Sequence, residues 1–209
     1  MQRVRVAVLV SGGGTNLQAL IDASKTGQMP SCELALVVAS KPQAFALERA
    51  KSATIKTSVV TKKDYTDKQS FENALVSVLE ENKIDFIVLA GFLYVLSEVF
   101  VERYKDRIIN VHPSLIPSFC GDGFYGLRVH QAALDYGVKV TGATVHYVNE
   151  QTDGGKIILQ KAVYILEDDT AETLQQRVMR EAEWVLLPKA CETVAQIILQ
   201  DKKDKADGN

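Results

Sequence analysis

Cysteine is nearly absent from this chain, and the little there is forms no pattern. Cys32, Cys120 and Cys191 are odd in number and far apart, and no C-x-x-C pair occurs. Neither a disulfide framework nor a zinc knuckle is indicated. Histidine is as scarce. His112, His130 and His146 lack the close His or carboxylate spacing of a metal site, so no metal is expected. Neither sign of charge dominates: a net charge of -2 gives no electrostatic case for a nucleic-acid partner. No apolar run spans a membrane, and no cleavage pattern follows the short apolar N-terminal run, so a soluble, cytoplasmic protein is expected. A G-x-S-x-G elbow is missing, and with it the setting of a serine or cysteine triad. No repeat or linker divides the 209 residues. One large domain over 1–200 is expected, followed by a charged, disordered tail over 201–209.

Strand and helix patterns alternate through the first half. Val4 to Val10 is apolar at nearly every position, as a strand covered on both faces should be. Lys68 to Glu81 places Phe71, Leu75, Val78 and Leu79 on one helical stripe, and Asp85 to Ala90 is the clearest buried strand. Val138 to Val148 and Lys156 to Val163 then read as two strands joined by a short loop, hence antiparallel neighbours. Thr170 to Gln200 reads as one long helix, kinked or divided at Pro188. The expected fold class is α/β, a doubly wound, mostly parallel and Rossmann-like sheet with an antiparallel C-terminal strand pair and a long C-terminal helix.

Between the first strand and helix lies Ser11-Gly12-Gly13-Gly14-Thr15-Asn16, where Thr15 or Asn16 can cap. Such a turn offers N–H groups and a helix dipole to an anion, most often phosphate. Glycines also occur there for steric reasons alone. A dinucleotide fingerprint would need a glycine where Leu17 stands. A Walker loop would need Ser or Thr after Gly-Lys, and the one Gly-Lys here precedes Ile157. A small phosphorylated ligand fits better than NAD or ATP.

Asn110 and His112 lie two apart on the strand ending at Pro113, so their side chains share a face at its C-terminal lip. An amide and an imidazole there make a hydrogen-bond donor and a proton shuttle, or merely a polar strand end. Ser118 to Gly126 is a glycine-punctuated loop with three aromatics, long enough for a lid. Gly91 to Leu96 is apolar, and serves either as a pocket wall or as the first turn of a core helix. Asp153 in the later loop is within conceivable reach of His112, where a carboxylate would orient the imidazole and raise its pKa. Asp153-Gly154 is also an ordinary turn pair.

Four stretches occur in a telling order: Ser11-Gly12-Gly13-Gly14-Thr15-Asn16-Leu17-Gln18, Leu89-Ala90-Gly91-Phe92, Asn110-Val111-His112-Pro113-Ser114-Leu115-Ile116-Pro117 and Asp153-Gly154-Gly155. Together they resemble the folate-dependent formyltransferases. The Asn-x-His-Pro-Ser-Leu-x-Pro segment with the later Asp is shared across that family, including methionyl-tRNA formyltransferase and formyltetrahydrofolate deformylase. The glycine-rich start narrows the resemblance to the enzymes that formylate glycinamide ribonucleotide and to the deformylase. The chain has no room for the extra C-terminal domain of the tRNA enzyme or the N-terminal regulatory domain of the deformylase, which favours the glycinamide branch.

The resemblance implies formyl transfer from 10-formyltetrahydrofolate, as co-substrate, to the amine of glycinamide ribonucleotide in de novo purine biosynthesis. It implies no nucleic-acid or membrane partner, and a monomer or homodimer. Gly12, Gly13, Gly14, Thr15 and Asn16 would bind the phosphate and Glu183 the ribose hydroxyls, although Trp184 follows where the family usually has His. Lys68, Leu93, Tyr94, Val95, Leu96 and the loop residues Asn149, Glu150, Gln151 and Thr152 would hold the folate, with Tyr94 replacing a frequent Arg. The loop Phe119 to Tyr125 is longer than in the shorter members. Asn110 and a protonated His112 would donate to the oxyanion, and Asp153 would keep His112 charged and pass on the proton. Such a reaction needs neither a covalent enzyme intermediate nor a metal. A deformylase-like hydrolase is the alternative, as is a non-catalytic binder of phosphorylated metabolites on the same fold.

Overall fold

The computed structural model describes residues 3–207. Two compact units divide them, one running to Tyr94 and resuming at Pro188, the other Val95–Leu187. In the first, β1 (Val4–Val10), β2 (Cys32–Ala39), β3 (Lys56–Val59) and β4 (Phe86–Leu89) lie in the order β3-β2-β1-β4, every neighbouring pair parallel. β1 is the central strand: Val6 to Val10 have no exposed surface, which is what its unbroken apolar run requires. The helices are α1 (Thr15–Lys25), α2 (Ala46–Ser52) and α3 (Lys68–Glu81). α3 buries Phe71, Leu75 and Leu79, and an Asp67–Ser70 capping box closes its N-terminus.

The second unit holds α4 (Glu98–Arg103), β5 (Ile108–His112), α5 (Leu127–Tyr136), β6 (Val140–Tyr147), β7 (Ile157–Tyr164) and α6 (Ala171–Val178). β6 pairs antiparallel with both β5 and β7. The register sets Asn110 opposite His146 and His112 opposite Thr144. The fold class is thus the expected one: parallel strands first, an antiparallel pair after them, and the long helix α7 (Trp184–Asp207) at the end.

Four local expectations need correction. The N-cap of α1 is Gly14, in the left-handed region (φ 71°), and Thr15 and Asn16 lie inside the helix. Only glycine fits that conformation freely, and a Cβ there would stand 2.6 Å from the Cβ of Ala46. Residues 93–96 form an irregular connection instead of a helix turn, because α4 starts only at Glu98 behind the cap of Ser97. The long helix changes winding in a π turn, Met179–Glu183, and is not divided at Pro188, which lies inside α7. A proline ring crowds the carbonyl four residues back, here Trp184, next to that turn. Residues 201–207, expected to be disordered, continue α7; Gly208 and Asn209 lie outside the described residues. The helix is held there by Lys202, whose Nζ is 2.6 Å from Asp85 Oδ1, and by a Gln200–Asp204 hydrogen bond one turn apart.

Candidate active site

β5 ends at His112 because Pro113 follows it, and the pleat sends Asn110 and His112 to one face. Asp153 meets them there. Its Oδ2 lies 3.3 Å from His112 Nδ1, and its Oδ1 accepts from the Asn110 amide nitrogen at 3.4 Å. Two further groups complete the cluster. His146, from the facing position on β6, has Nε2 3.3 Å from Asn110 Nδ2 and 3.6 Å from Asp153 Oδ1. The backbone N–H of Gly121 donates to Asp153 Oδ2 at 3.0 Å. The loop that carries Asp153 turns sharply, with Asp153 itself at φ 55°, a conformation Asp tolerates better than most residues. His112 and His146 are buried, and only 9% of the Asp153 side chain is exposed.

The electrostatics differ from the expectation in one respect. Burial lowers the pKa of His112, and the nearby Asp153 charge and the Phe119 carbonyl, which raise it, do not make up the difference. At rest the imidazole is therefore biased toward its neutral form. Asp153 stays ionised: burial pulls its pKa up, but the His146 hydrogen bond, the His112 charge and the Gly121 N–H together bring it below the usual carboxylate value. Both nitrogens of His112 nevertheless face acceptors, Asp153 on one side and the Phe119 carbonyl at 2.9 Å from Nε2 on the other. Only the imidazolium has a proton for each. A site that adds negative charge at Nε2 would therefore tip the ring toward its cation.

Phe119 owes its inward carbonyl to its own left-handed backbone (φ 49°) and to ring contacts with Phe124 and Tyr136 at 6.4 and 6.0 Å. Asp122 accepts from Thr152 Oγ1 at 3.0 Å, tying the aromatic loop to the Asp153 loop. Asn149 makes a local turn by accepting from Gln151 N, while Glu150 and Gln151 are exposed.

In the first unit the glycine turn is built from β1 and α1. Ser11 Oγ accepts from Ser40 Oγ and from the Leu93 N–H, which fixes the turn against the apolar connection after β4. Leu93 is 60% exposed and Tyr94 half-buried. Of the expected folate residues from the second unit, Val95 is exposed and Leu96 is buried. Arg49 of α2 donates from Nε to the Gly13 carbonyl at 2.8 Å and from Nη1 to Gln18 Oε1 at 3.0 Å, a brace that no sequence pattern announced. Glu183 is buried at the end of the π turn, an irregularity common at functional sites.

His130 on α5 is a buried imidazole whose ring nitrogens both lack a partner among the described residues. Burial, with the neighbouring His112 charge adding to it, pushes its pKa down to about 4. The unfolded chain binds a proton there near pH 6.5 and the folded one does not, so stability falls as pH drops through that window. The loss amounts to about 3 kcal/mol between roughly pH 7 and pH 4. Denaturant unfolding of His130→Leu across this range should show a shallower decline, with the remaining slope due to His112 and other groups. An unchanged slope would show that His130 titrates normally in the folded state.

The described residues thus hold a braced glycine turn on the parallel α/β unit and, within the second unit, a buried amide–imidazole–carboxylate cluster of the kind that group-transfer chemistry can use. The chain belongs to the formyl transferase family, whose model matches residues 4–191. Phosphoribosylglycinamide formyltransferase of Haemophilus influenzae is 37% identical over 206 residues, covering 98% of this chain and 94% of that protein. The human trifunctional purine biosynthetic protein adenosine-3 is 43% identical over 199 residues, which is 95% of this chain. The chain spans only 14% to 19% of the length of such trifunctional relatives. Among solved structures, phosphoribosylglycinamide formyltransferase of Brucella melitensis is 42% identical with a TM-score of 0.84, covering 93% of this chain and 96% of that one. Glycinamide ribonucleotide transformylase 1 of Symbiobacterium toebii is 37% identical with a TM-score of 0.87, over 93% and 88%.

Proposed function

We propose that this protein is a cytoplasmic enzyme that transfers the formyl group of 10-formyltetrahydrofolate to the amine of glycinamide ribonucleotide, a step of purine biosynthesis. The observation that carries the reading is Asp153 held 3.3 Å from His112 and 3.4 Å from Asn110 in one buried cluster. The neutral amine attacks the formyl carbon, and the carbonyl electrons move onto oxygen. That oxyanion takes the place of the Phe119 carbonyl at His112 Nε2, and a donor of this kind lowers the barrier by about 3–4 kcal/mol. The proton shed by the attacking amine moves onto the ring, and the ionised Asp153 balances the resulting charge. Collapse of the intermediate breaks the bond to N10 of the folate, and the proton lost by the amine ends on that nitrogen, passed through His112 and Asp153.

Gly12, Gly13, Gly14, Thr15 and Asn16 take the ribonucleotide phosphate, and Glu183 the ribose hydroxyls. Lys68, Leu93 to Leu96 and the loop Asn149 to Thr152 take the folate. The single formyltransferase domain over 1–200 is supported by the family match over residues 4–191. The test is to mix purified protein, 10-formyltetrahydrofolate and glycinamide ribonucleotide and to follow the deformylated folate. Release should require the ribonucleotide. Release at the same rate without it would make the protein a deformylase, and folate binding without release would make it a non-catalytic binder.

A further inference from the structure

Between β1 and α1, the backbone of the glycine turn is oriented by groups on α2. The Ala46 N–H donates to the Gly12 carbonyl at 3.1 Å, and Arg49 Nε donates to the Gly13 carbonyl at 2.8 Å. A trans peptide is planar, with its N–H opposed to its C=O. Drawing those two carbonyls toward α2 therefore points the N–H groups of Gly13 and Gly14 the other way. Among the described residues, neither N–H gives a hydrogen bond to the protein. A Cβ at Gly12 or Gly13 would meet nothing within 4 Å, so packing does not ask for glycine there, whereas close approach of a ligand to the backbone does.

Arg49 is itself held in place. Its Nη1 donates to Gln18 Oε1 at 3.0 Å, and the Gln18 amide is oriented by its own donation to Asp22 Oδ1 at 2.9 Å, one turn further along α1. The guanidinium carbon lies 5.0 Å from the centroid of the Phe45 ring, an aromatic platform that restrains the group. The neighbouring carboxylate of Glu48 is taken by Lys51 at 2.9 Å. Bonding a carbonyl and an amide oxygen at once from a planar fork is a property of guanidinium and not of an ammonium group. The cation also polarises the peptide it holds, which strengthens the Gly14 N–H as a donor.

We propose that Arg49 is a positioning residue for the ribonucleotide phosphate: it fixes the Gly13–Gly14 peptide so that the Gly14 N–H meets the anion, as the Ala46 N–H does for the preceding peptide. The inference rests on the formyl-transfer reading for the identity of the ligand and for its phosphate on this turn. It goes beyond that reading in making α2, an element given no part in binding there, the one that sets phosphate affinity.

The test compares one ligand with and without its phosphate. The purified protein is titrated calorimetrically with glycinamide ribonucleotide and with the riboside that lacks the phosphate, as wild type and as Arg49→Met, Arg49→Lys and Gln18→Leu. Arg49→Met should weaken binding of the ribonucleotide about tenfold, as expected for misaligning one donor to a charged group, and leave the riboside unchanged. In steady-state kinetics the loss should fall on the KM for the ribonucleotide and not on kcat, as for an interaction kept from ground state to transition state. Arg49→Lys keeps the charge but not the fork, and should bind as weakly as Arg49→Met. Gln18→Leu keeps a good helix former in α1, frees only Nη1, and should cost about two- to threefold, again with the ribonucleotide alone. Equal affinities of wild type and Arg49→Met for the ribonucleotide would overturn the proposal. So would an equal loss with both ligands, which would reveal only a structural role. Wild-type affinity in Arg49→Lys would reduce Arg49 to its charge and overturn it as well. A wild-type protein that binds riboside and ribonucleotide alike would instead overturn the reading of the glycine turn as the phosphate site, and the inference with it.

Discussion

Asp153→Asn should fold normally and lose at least a hundredfold in turnover, the range seen when one oxyanion donor is removed. Asparagine is the next most tolerant residue for the left-handed backbone at φ 55°, so the turn survives the change. What is lost is charge. In the proposed mechanism Asp153 is the counter-charge for a His112 imidazolium, whose formation burial disfavours. It also accepts from the Gly121 N–H and the Asn110 amide. The amide of an asparagine can replace one of those acceptor contacts but cannot stabilise the cation. In steady-state kinetics the loss should appear in kcat, with the KM for the ribonucleotide little changed, because the phosphate lies on the glycine turn in this account. Near-normal kcat in a folded Asp153→Asn variant would remove Asp153 from the mechanism.

Gly155→Ala should damage both stability and activity. A Cβ at this position would stand 1.7 Å from the Tyr147 carbonyl oxygen, so the backbone of one of the two strands must move. That carbonyl is also the acceptor for His146 Nδ1 at 2.8 Å, and Asp153 lies two residues upstream. Displacing it therefore disturbs the ring facing Asn110 and the turn that aims the carboxylate. The cost should be about 3 kcal/mol, at the upper end for overpacking, and a fall in Tm of about 6–12 °C for a chain of this size. Turnover at a temperature where the variant is folded should drop at least as far as in Asp153→Asn. Gly154→Ala meets only the exposed Gln151 side chain and should cost less. Thermal denaturation of the two variants separates them, and equal Tm values would show that the Tyr147 contact is absorbed without strain.

The strands and their sense were legible because buried parallel strands and two-faced helices leave different periodicities, and those of β1, α3 and β4 are unusually clean. The lip position of Asn110 and His112 followed from Pro113, whereas the approach of Asp153 was legible only through the resemblance to the formyltransferases, because Asp153-Gly154 reads equally well as an ordinary turn pair. Other parts were not legible, for identifiable reasons. His146 enters the cluster only through the β5–β6 register, which the alternation on β6 alone does not fix. The Phe119 carbonyl and the Gly121 N–H are backbone groups of an irregular loop, and backbone groups carry no residue signature. The direction of the His112 shift depended on how deeply the ring is buried, and a neighbouring carboxylate alone pointed the other way. The helical continuation over 201–207 was hidden because its composition resembles a tail, while its anchor, Asp85, lies far away in sequence.

The central claim is that the carbon leaving N10 of the folate arrives on the amine of the ribonucleotide. It is tested most directly by supplying 10-formyltetrahydrofolate labelled with carbon-13 in the formyl group, together with glycinamide ribonucleotide, and locating the label by NMR after one turnover. The account predicts the label in the formamide of the ribonucleotide, in equal amount to the tetrahydrofolate formed, and none of it in Asp153→Asn over the same interval. Label recovered as free formate, with the ribonucleotide unchanged, would contradict it.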